Sequence, residues 1–264
     1  MKIKTAIFIL LSFLLFSSMI NLPTRKSTVF WLEKSFREIE VLGKNDGATV
    51  IVPVAQIEAH GPHLPVGTDY FITNEIAKRT AEKCNAIVGP PVLLGNCIDF
   101  SCWPGYIIID NSTFFSIIKN YCQSVAEHGF SKLVFIVQHG GSNVNGVRLA
   151  VEEYHKENPG MSILISTTSM LLGKEIAEFR KKNFNIDTAV MLAIRPDLVN
   201  MDKLPEKIDV KSIPRNVISY KKCWTLADIS PDALFVLPTS STKEDGNKIL
   251  DIVVKNLVNL IASD

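Results

Sequence analysis

From Thr28 onward the chain alternates between short unbroken apolar runs and longer stretches in which apolar residues recur every three to four positions. The first kind predicts buried parallel strands and the second amphipathic helices. ATVIVPVA (Ala48 to Ala55), NAIVGPPVLLG with its proline turn, the run Leu133 to Val137 and MSILIST read as strands. DYFITNEIAKRTAEKC (Asp69 to Cys84) reads as a helix with Asp69 near its amino-terminal cap, and NSTFFSIIKNYCQSVAEHGF (Asn111 to Phe130) as one closed by Gly129. VNGVRLAVEEYHKEN continues the series. DTAVMLAIRPDLV (Asp187 to Val199) predicts a short apolar helix ended by Pro196, and the terminal STKEDGNKILDIVVKNLVNLIASD an amphipathic helix starting near Ser240 or Ser241. Residues 205–231 hold several prolines and little periodicity, which predicts an irregular excursion. Alternating strands and helices, without internal repeats, predict one layered α/β domain with a mostly parallel sheet.

The first residues break this pattern. MKIKTAIFILLSFLLFSSMINL places Lys2 and Lys4 before an apolar run from Ala6 to Phe16, and no charge follows until Arg25, the layout of an export signal. The uncharged stretch from Thr5 to Thr24 also approaches the roughly 20 residues that cross a bilayer. No small-x-small pair in a favourable frame follows the apolar core. Residues 1–24 therefore read as a signal peptide or an amino-terminal membrane anchor on an exported protein; a start at Met19, giving a cytoplasmic protein, is the alternative.

Composition adds boundaries. With 264 residues, 47% of them hydrophobic and 21% charged, the chain is long enough for a substantial core, which excludes general disorder. Lysines and arginines number 28 against 27 acids, so the net charge of +1 gives no electrostatic basis for binding nucleic acid. Five scattered cysteines lack C-x-x-C spacing and read mostly as core or surface thiols, with a Cys97–Cys102 disulfide open if the protein is exported.

The chemistry concentrates after the Val50 strand. IEAHGPHLPVGTD holds Glu58, His60, His63 and Asp69 within thirteen residues, and its glycines and prolines exclude a helix. A loop at the carboxyl end of a strand is where an open α/β sheet collects ligands. On extended backbone, residues two apart point the same way, so Glu58 and His60 face one cavity. His139, before Gly140-Gly141 at the end of a later strand, alone suits a structural turn; joined to Glu58, His60 and Asp69 it becomes a metal ligand. Imidazole and carboxylate together suit zinc or manganese, and a carboxylate such as Asp69 can bridge two ions. His63 reads as a hydrogen-bond partner of a ligand or loop carbonyl, or as a substrate contact. His128 and His155 read as surface residues, and Trp103 as a pocket wall or core residue.

These strings resemble the creatininase family of metal-dependent amidohydrolases. PVAQIEAHGPHLPVGTD is similar to that family's P-x-G-S-x-E-x-H-G-P-H-L-P-x-x-T-D, VQHGGSN to N-G-H-G-G-N, CWPGYI to F-P-G-T-I, and NIDTAVMLAIRPDLV to E-x-E-T-S-L-M-L-A-L-x-P-x-L-V. The resemblance covers roughly residues 28 to 262 and implies a three-layer α/β/α sandwich. It further implies one or two divalent ions, zinc, manganese or iron, with Glu58, Asp69 and His139 on one, His60, Asp69 and Asp187 on the other, and Asp69 bridging. The implied activity is hydrolysis of a non-peptide C–N bond, amide or cyclic amide, in a small molecule through metal-bound hydroxide, with Glu58 and His60 at the reaction centre, in a homo-oligomer.

Several positions depart from the family pattern. Lys182 stands where members carry a histidine suited to proton shuttling, and a lysine near its ordinary pKa of about 10.4 serves as an acceptor only if its surroundings depress that value. Asp187 replaces a glutamate, shortening the reach by about 1.5 Å. Asp99-Phe100 replaces an E-H pair, and Tyr106 a threonine. Catalysis with Lys182 as a participant is one reading; a metal-binding homologue without turnover, acting as a binding or accessory protein, is the other.

Overall fold

The computed structural model describes residues 28–44, 48–97, 101–211 and 226–263. The leader, Asp99-Phe100, Cys223 and much of the predicted excursion lie outside these residues. Four strands, β1 (Thr49–Val54), β2 (Ala86–Val88), β3 (Lys132–Val137) and β4 (Ser162–Ser166), form a sheet of order β2-β1-β3-β4, every pair parallel. Helices α1 (Phe36–Gly43), α2 (Thr68–Ala81), α3 (Asn111–Glu127), α4 (Ser142–Glu157), α5 (Thr168–Leu172), α6 (Ile186–Ile194), α7 (Leu226–Ile229) and α8 (Lys243–Ser263) accompany the sheet, with short 3-10 helices such as Gly173–Phe179 between them.

Strand alternation divides the core in two. Ile51, Val88, Val134 and Ile136 pack with α2, α5, α6 and α8 on one face, while Val50, Val52, Val54, Leu133, Phe135 and Val137 pack with α3 and α4 on the other. Both faces of β1 are thereby buried, which is why its sequence is apolar without interruption. The result is the predicted three-layer α/β/α sandwich. Pro53 is tolerated in this central strand because the Thr49 and Ala55 amides mark the side facing β2, and β2 has ended at Val88 before Pro53 is reached.

Several element ends differ from expectation. Gly67 occupies the cap position of α2, and Asp69 lies one residue inside the helix, freeing its carboxylate for the interior. The last helix starts at Lys243, where Thr242 Oγ1 accepts from the Asp245 amide at 3.1 Å. Ser240 and Ser241 instead tether residues 182–185: the Ser240 hydroxyl donates to the Lys182 and Asn183 carbonyls, and Ser241 accepts from the Asn185 amide. No disulfide joins Cys97 and Cys102, and the Cys102 sulfur accepts from the Ala227 amide. Of the excursion, residues 226–229 are helical. Among the described residues no helix is long and apolar enough to cross a membrane.

Candidate metal centre

The strand order fixes where a site can form. The chain leaves β1 toward β2 on one side and returns to β3 on the other, so the connections diverge at the carboxyl ends of β1 and β3. The loop from Ala55 to Gly67 and the turn from Gln138 to Gly141 meet there. Two helix amino ends also arrive: Asp69 lies in the first turn of α2 and Asp187 in the first turn of α6, both at the positive end of a helix dipole.

Glu58, His60 and Asp69 bring ligand atoms within 4.8 Å of one another. His60 Nε2 is 3.2 Å from Asp69 Oδ1 and 3.5 Å from Glu58 Oε1, and His60 Nδ1 is 3.8 Å from Asp187 Oδ2. His139 Nδ1 lies 2.9 Å from Glu58 Oε1. The geometry of His139 is local in origin: the residue takes φ 70°, uncommon for a side-chain-bearing residue, before Gly141 at φ 69°. Such a conformation costs on the order of 1 kcal/mol and persists where surrounding contacts enforce it. All five residues line one cavity of about 800 Å³, with apolar walls that include Leu64, Ile176 and Phe179.

Burial and charge compete strongly here. Enclosure alone would lower the pKa of His60, but the Asp69, Asp187 and Glu58 carboxylates outweigh it and raise the ring to about 9. His139 behaves likewise: burial lowers it, while hydrogen bonds to Cys97 and Glu58 and the nearby acids raise it to about 10. The Asp187 carboxyl is pushed up by burial and by Asp69 and Glu58, against the opposing His60 charge and the Gln138 hydrogen bond. Three acids share this enclosed space, so protons or cations must compensate them.

The other expected site residues are placed unequally. Lys182 is exposed and does not line the cavity, whereas its neighbours Arg180 and Lys181 do. The cause is backbone geometry: Ser240 holds the 182 and 183 carbonyls, Asn183 takes φ 57°, and the Lys182 side chain is left in solvent. A proton-transfer role for Lys182 therefore has no support in the structure. His63 lines the cavity, and among the described residues its hydrogen bond goes to neither a metal-ligand side chain nor a loop carbonyl. Its Nε2 meets Thr188 Oγ1 at 2.9 Å, and because the Thr188 hydroxyl donates to Asn185 Oδ1, His63 supplies the proton of that contact. Burial, with the His60 charge, lowers its pKa to about 4, so a neutral His63 fastens the loop to α6. Trp103 is buried, donates to the Pro231 carbonyl at 3.1 Å and does not line the cavity. His128 and His155 are exposed.

Two glutamines escaped the sequence reading. Gln56 is fully buried; its Nε2 donates to Glu58 Oε2 at 2.8 Å, and its Oε1 accepts from the Cys97 amide at 3.0 Å and from the Tyr106 hydroxyl at 3.2 Å. Gln138 Nε2 donates to Asp187 Oδ1 at 2.9 Å, while its Oε1 accepts from Thr168 Oγ1 at 2.7 Å. The available signal was position: Gln56 lies two residues before Glu58 on extended backbone, and Gln138 adjoins His139.

The chain is similar to known proteins along most of its length. The family model described as creatinine amidohydrolase matches residues 33–261. The creatinine amidohydrolase of Pseudomonas putida is 24% identical over 257 residues, covering 90% of this chain and 97% of that protein. The mycofactocin precursor peptide peptidase of Mycobacterium ulcerans (strain Agy99) is 26% identical over 245 residues, 86% of this chain and 93% of the peptidase. A solved manganese form of creatininase superposes with a TM-score of 0.80 at 20% identity, covering 90% of this chain and 98% of that one, and so shares the fold. With the family model spanning almost the whole described chain, the protein belongs to the creatininase family.

Proposed function

We propose that this protein is a divalent-metal-dependent hydrolase that cleaves an amide or cyclic amide C–N bond of a small molecule. One observation carries the reading: Glu58, His60 and Asp69 converge within 4.8 Å at a cavity, and the enclosed His60 Nε2 makes no hydrogen bond although two carboxylate oxygens lie 3.2 and 3.5 Å away. A ring nitrogen and carboxylate oxygens gathered without hydrogen bonds between them suit a cation that takes the place of the ring proton. Glu58, Asp69 and His139 would hold one ion, and His60, Asp69 and Asp187 a second. Bound zinc, manganese or iron would activate water and polarise the carbonyl under attack.

The chain's own residues supply the setting. Gln56 and Gln138 orient the Glu58 and Asp187 carboxylates. His63, through Thr188, holds the ligand loop against α6, while Leu64, Ile176 and Phe179 limit water at the cavity wall. Met170 and Phe235 line the cavity yet are 60% and 50% exposed, so they mark its mouth. Solvent exchanging there provides the reacting water and the proton for the leaving nitrogen, a task that the exposed Lys182 does not share.

The placement of Lys182 outside the cavity favours a second reading, a metal-binding homologue without turnover. A panel of cyclic amides, linear amides and short peptides, offered to the manganese-loaded protein, decides between them. The relatives' names motivate both ends of the panel, creatinine and a precursor peptide. Turnover that disappears on Glu58→Gln supports the hydrolase. Stoichiometric metal without turnover on any compound supports the homologue, and turnover untouched by Glu58→Gln refutes the site. The same reading includes assembly into a homo-oligomer, checked by sedimentation, and export or membrane anchoring through residues 1–24. For the latter, a reporter fused after Arg25 becomes extracytoplasmic; a soluble cytoplasmic reporter points to Met19 as the start.

A further inference from the structure

Asp187 falls about 1.5 Å short of the glutamate in the family string E-x-E-T-S, an error large against a metal–oxygen bond of about 2.1 Å. The structure shows what stands opposite that shortened side chain. Gln138 donates to Asp187 Oδ1 at 2.9 Å, leaving Oδ2 toward His60 Nδ1 at 3.8 Å. In the string N-G-H-G-G-N the position of Gln138 is a glycine, with no side chain. In this chain a long side chain at position 138 thus meets a short carboxylate at position 187, across 49 residues of sequence. The amide is not free to turn. Thr168, buried as the first residue of α5, donates to Gln138 Oε1 at 2.7 Å, which commits Nε2 to the acid.

The second departure near the ligands is built alike. Gln56 replaces the serine of P-x-G-S-x-E and Tyr106 the threonine of F-P-G-T-I, and the two touch at 3.2 Å. Gly95 leaves room for the longer residue, since a Cβ there would lie 2.1 Å from Gln56 Oε1.

Resting on the metal-site reading above, we propose that Gln138 is a positioning residue matched to Asp187: it holds the shorter carboxylate in the place from which it serves the second ion, so the altered third segment preserves a two-ion site. The role is exerted through Asp187, with no contact to substrate. It predicts that residues 138 and 187 act as one unit, and that a change at either is repaired by the corresponding change at the other.

The test is manganese titration calorimetry on chelator-stripped protein, with the urea unfolding midpoint of each metal-free form measured alongside. Wild type takes up two ions. Gln138→Gly weakens the second by 10- to 100-fold, on the order seen when a hydrogen-bond partner of a ligand is lost. Asp187→Glu alone, crowded by Gln138, is also impaired, and Gln138→Gly with Asp187→Glu recovers wild-type affinity to within about threefold. Thr168→Val, which removes only the hydroxyl orienting the amide, weakens the second ion in the wild-type background and has no further effect beside Gln138→Gly; it decides the matter if Gln138→Gly does not fold. Unchanged affinities in Gln138→Gly and Thr168→Val, or a double variant no better than Gln138→Gly, overturn the proposal while leaving the metal site intact. A lower unfolding midpoint with unchanged metal affinity reduces Gln138 to a structural role and overturns it too. Wild type that binds no manganese fails the metal-site reading itself, before any variant is compared, and this proposal with it.

Discussion

Asp69→Asn separates the cost of gathering three acids from the use made of them. Asp69 is 1% exposed, its Oδ1 lies 3.2 Å from His60 Nε2, and its Oδ2 accepts from the Gln56 amide at 3.4 Å. Asparagine keeps the shape and the backbone contact but removes the charge. Without metal, Glu58, Asp69 and Asp187 face His60 and His139, so one of three neighbouring acids disappears. In the metal-free variant the His60 pKa should fall from about 9 because its foremost charge partner is gone, and with it the stability that this pairing contributes at neutral pH. Metal widens the difference. At a free manganese concentration a thousandfold above its dissociation constant, binding to the native state adds about 4 kcal/mol, which for a chain of this size raises Tm by about 8–16 °C. Asp69→Asn, lacking the carboxylate between the two ligand sets, should gain little of this. The assay is thermal unfolding with chelator and with excess manganese, paired with elemental analysis. A variant that shows the wild-type metal-dependent rise at the wild-type metal ratio refutes the bridging role.

Other outcomes follow from the same geometry. Gly95→Ala places a Cβ 2.1 Å from Gln56 Oε1 and 2.6 Å from its Cδ, so the amide must move off Glu58; manganese affinity at the Glu58 ion should fall by about tenfold, read by titration calorimetry. In His139→Gly, relief of the φ 70° backbone offsets the entropic penalty of glycine, but the charged contact with buried Glu58 is lost, so metal-free stability in urea should fall at neutral pH while one ion is lost. Metal binding requires neutral imidazoles, and in the metal-free protein His60 at about 9 and His139 at about 10 keep their protons at neutral pH. Manganese uptake near pH 7.5 should therefore release about two protons, visible as a calorimetric enthalpy that varies with the ionisation heat of the buffer. The sign for stability is opposite. Both folded pKa values lie above the unfolded value of about 6.5, so their contribution is complete below that pH and is lost as pH rises through about 9 and 10. Metal-free protein should weaken across that interval in urea titrations, while metal affinity increases.

The strands and most helices were legible because their signals are local. The unbroken apolar run of β1 records burial on both faces, and Gly129, at φ 89°, ends α3 where expected. Glu58, His60, Asp69 and His139 were legible for a related reason: they sit in two short segments directly after strands, and parallel neighbouring strands bring such segments together. Asp187 was reached only through family resemblance, since nothing in its own helix indicates that α6 packs its amino end against the ligand loop. Lys182 shows the limit of that route. Its string position matched a family histidine, but Asn183 and the Ser240 contacts turn the backbone so that the side chain leaves the cavity. For Gln56 and Gln138 the sequence offered only their position beside ligand residues, and for the His63–Thr188 contact no signal. Each depends on partners 50, 49 or 125 residues away in sequence. Periodicity reports which face of an element is buried, and only packing decides which polar atom on that face meets another.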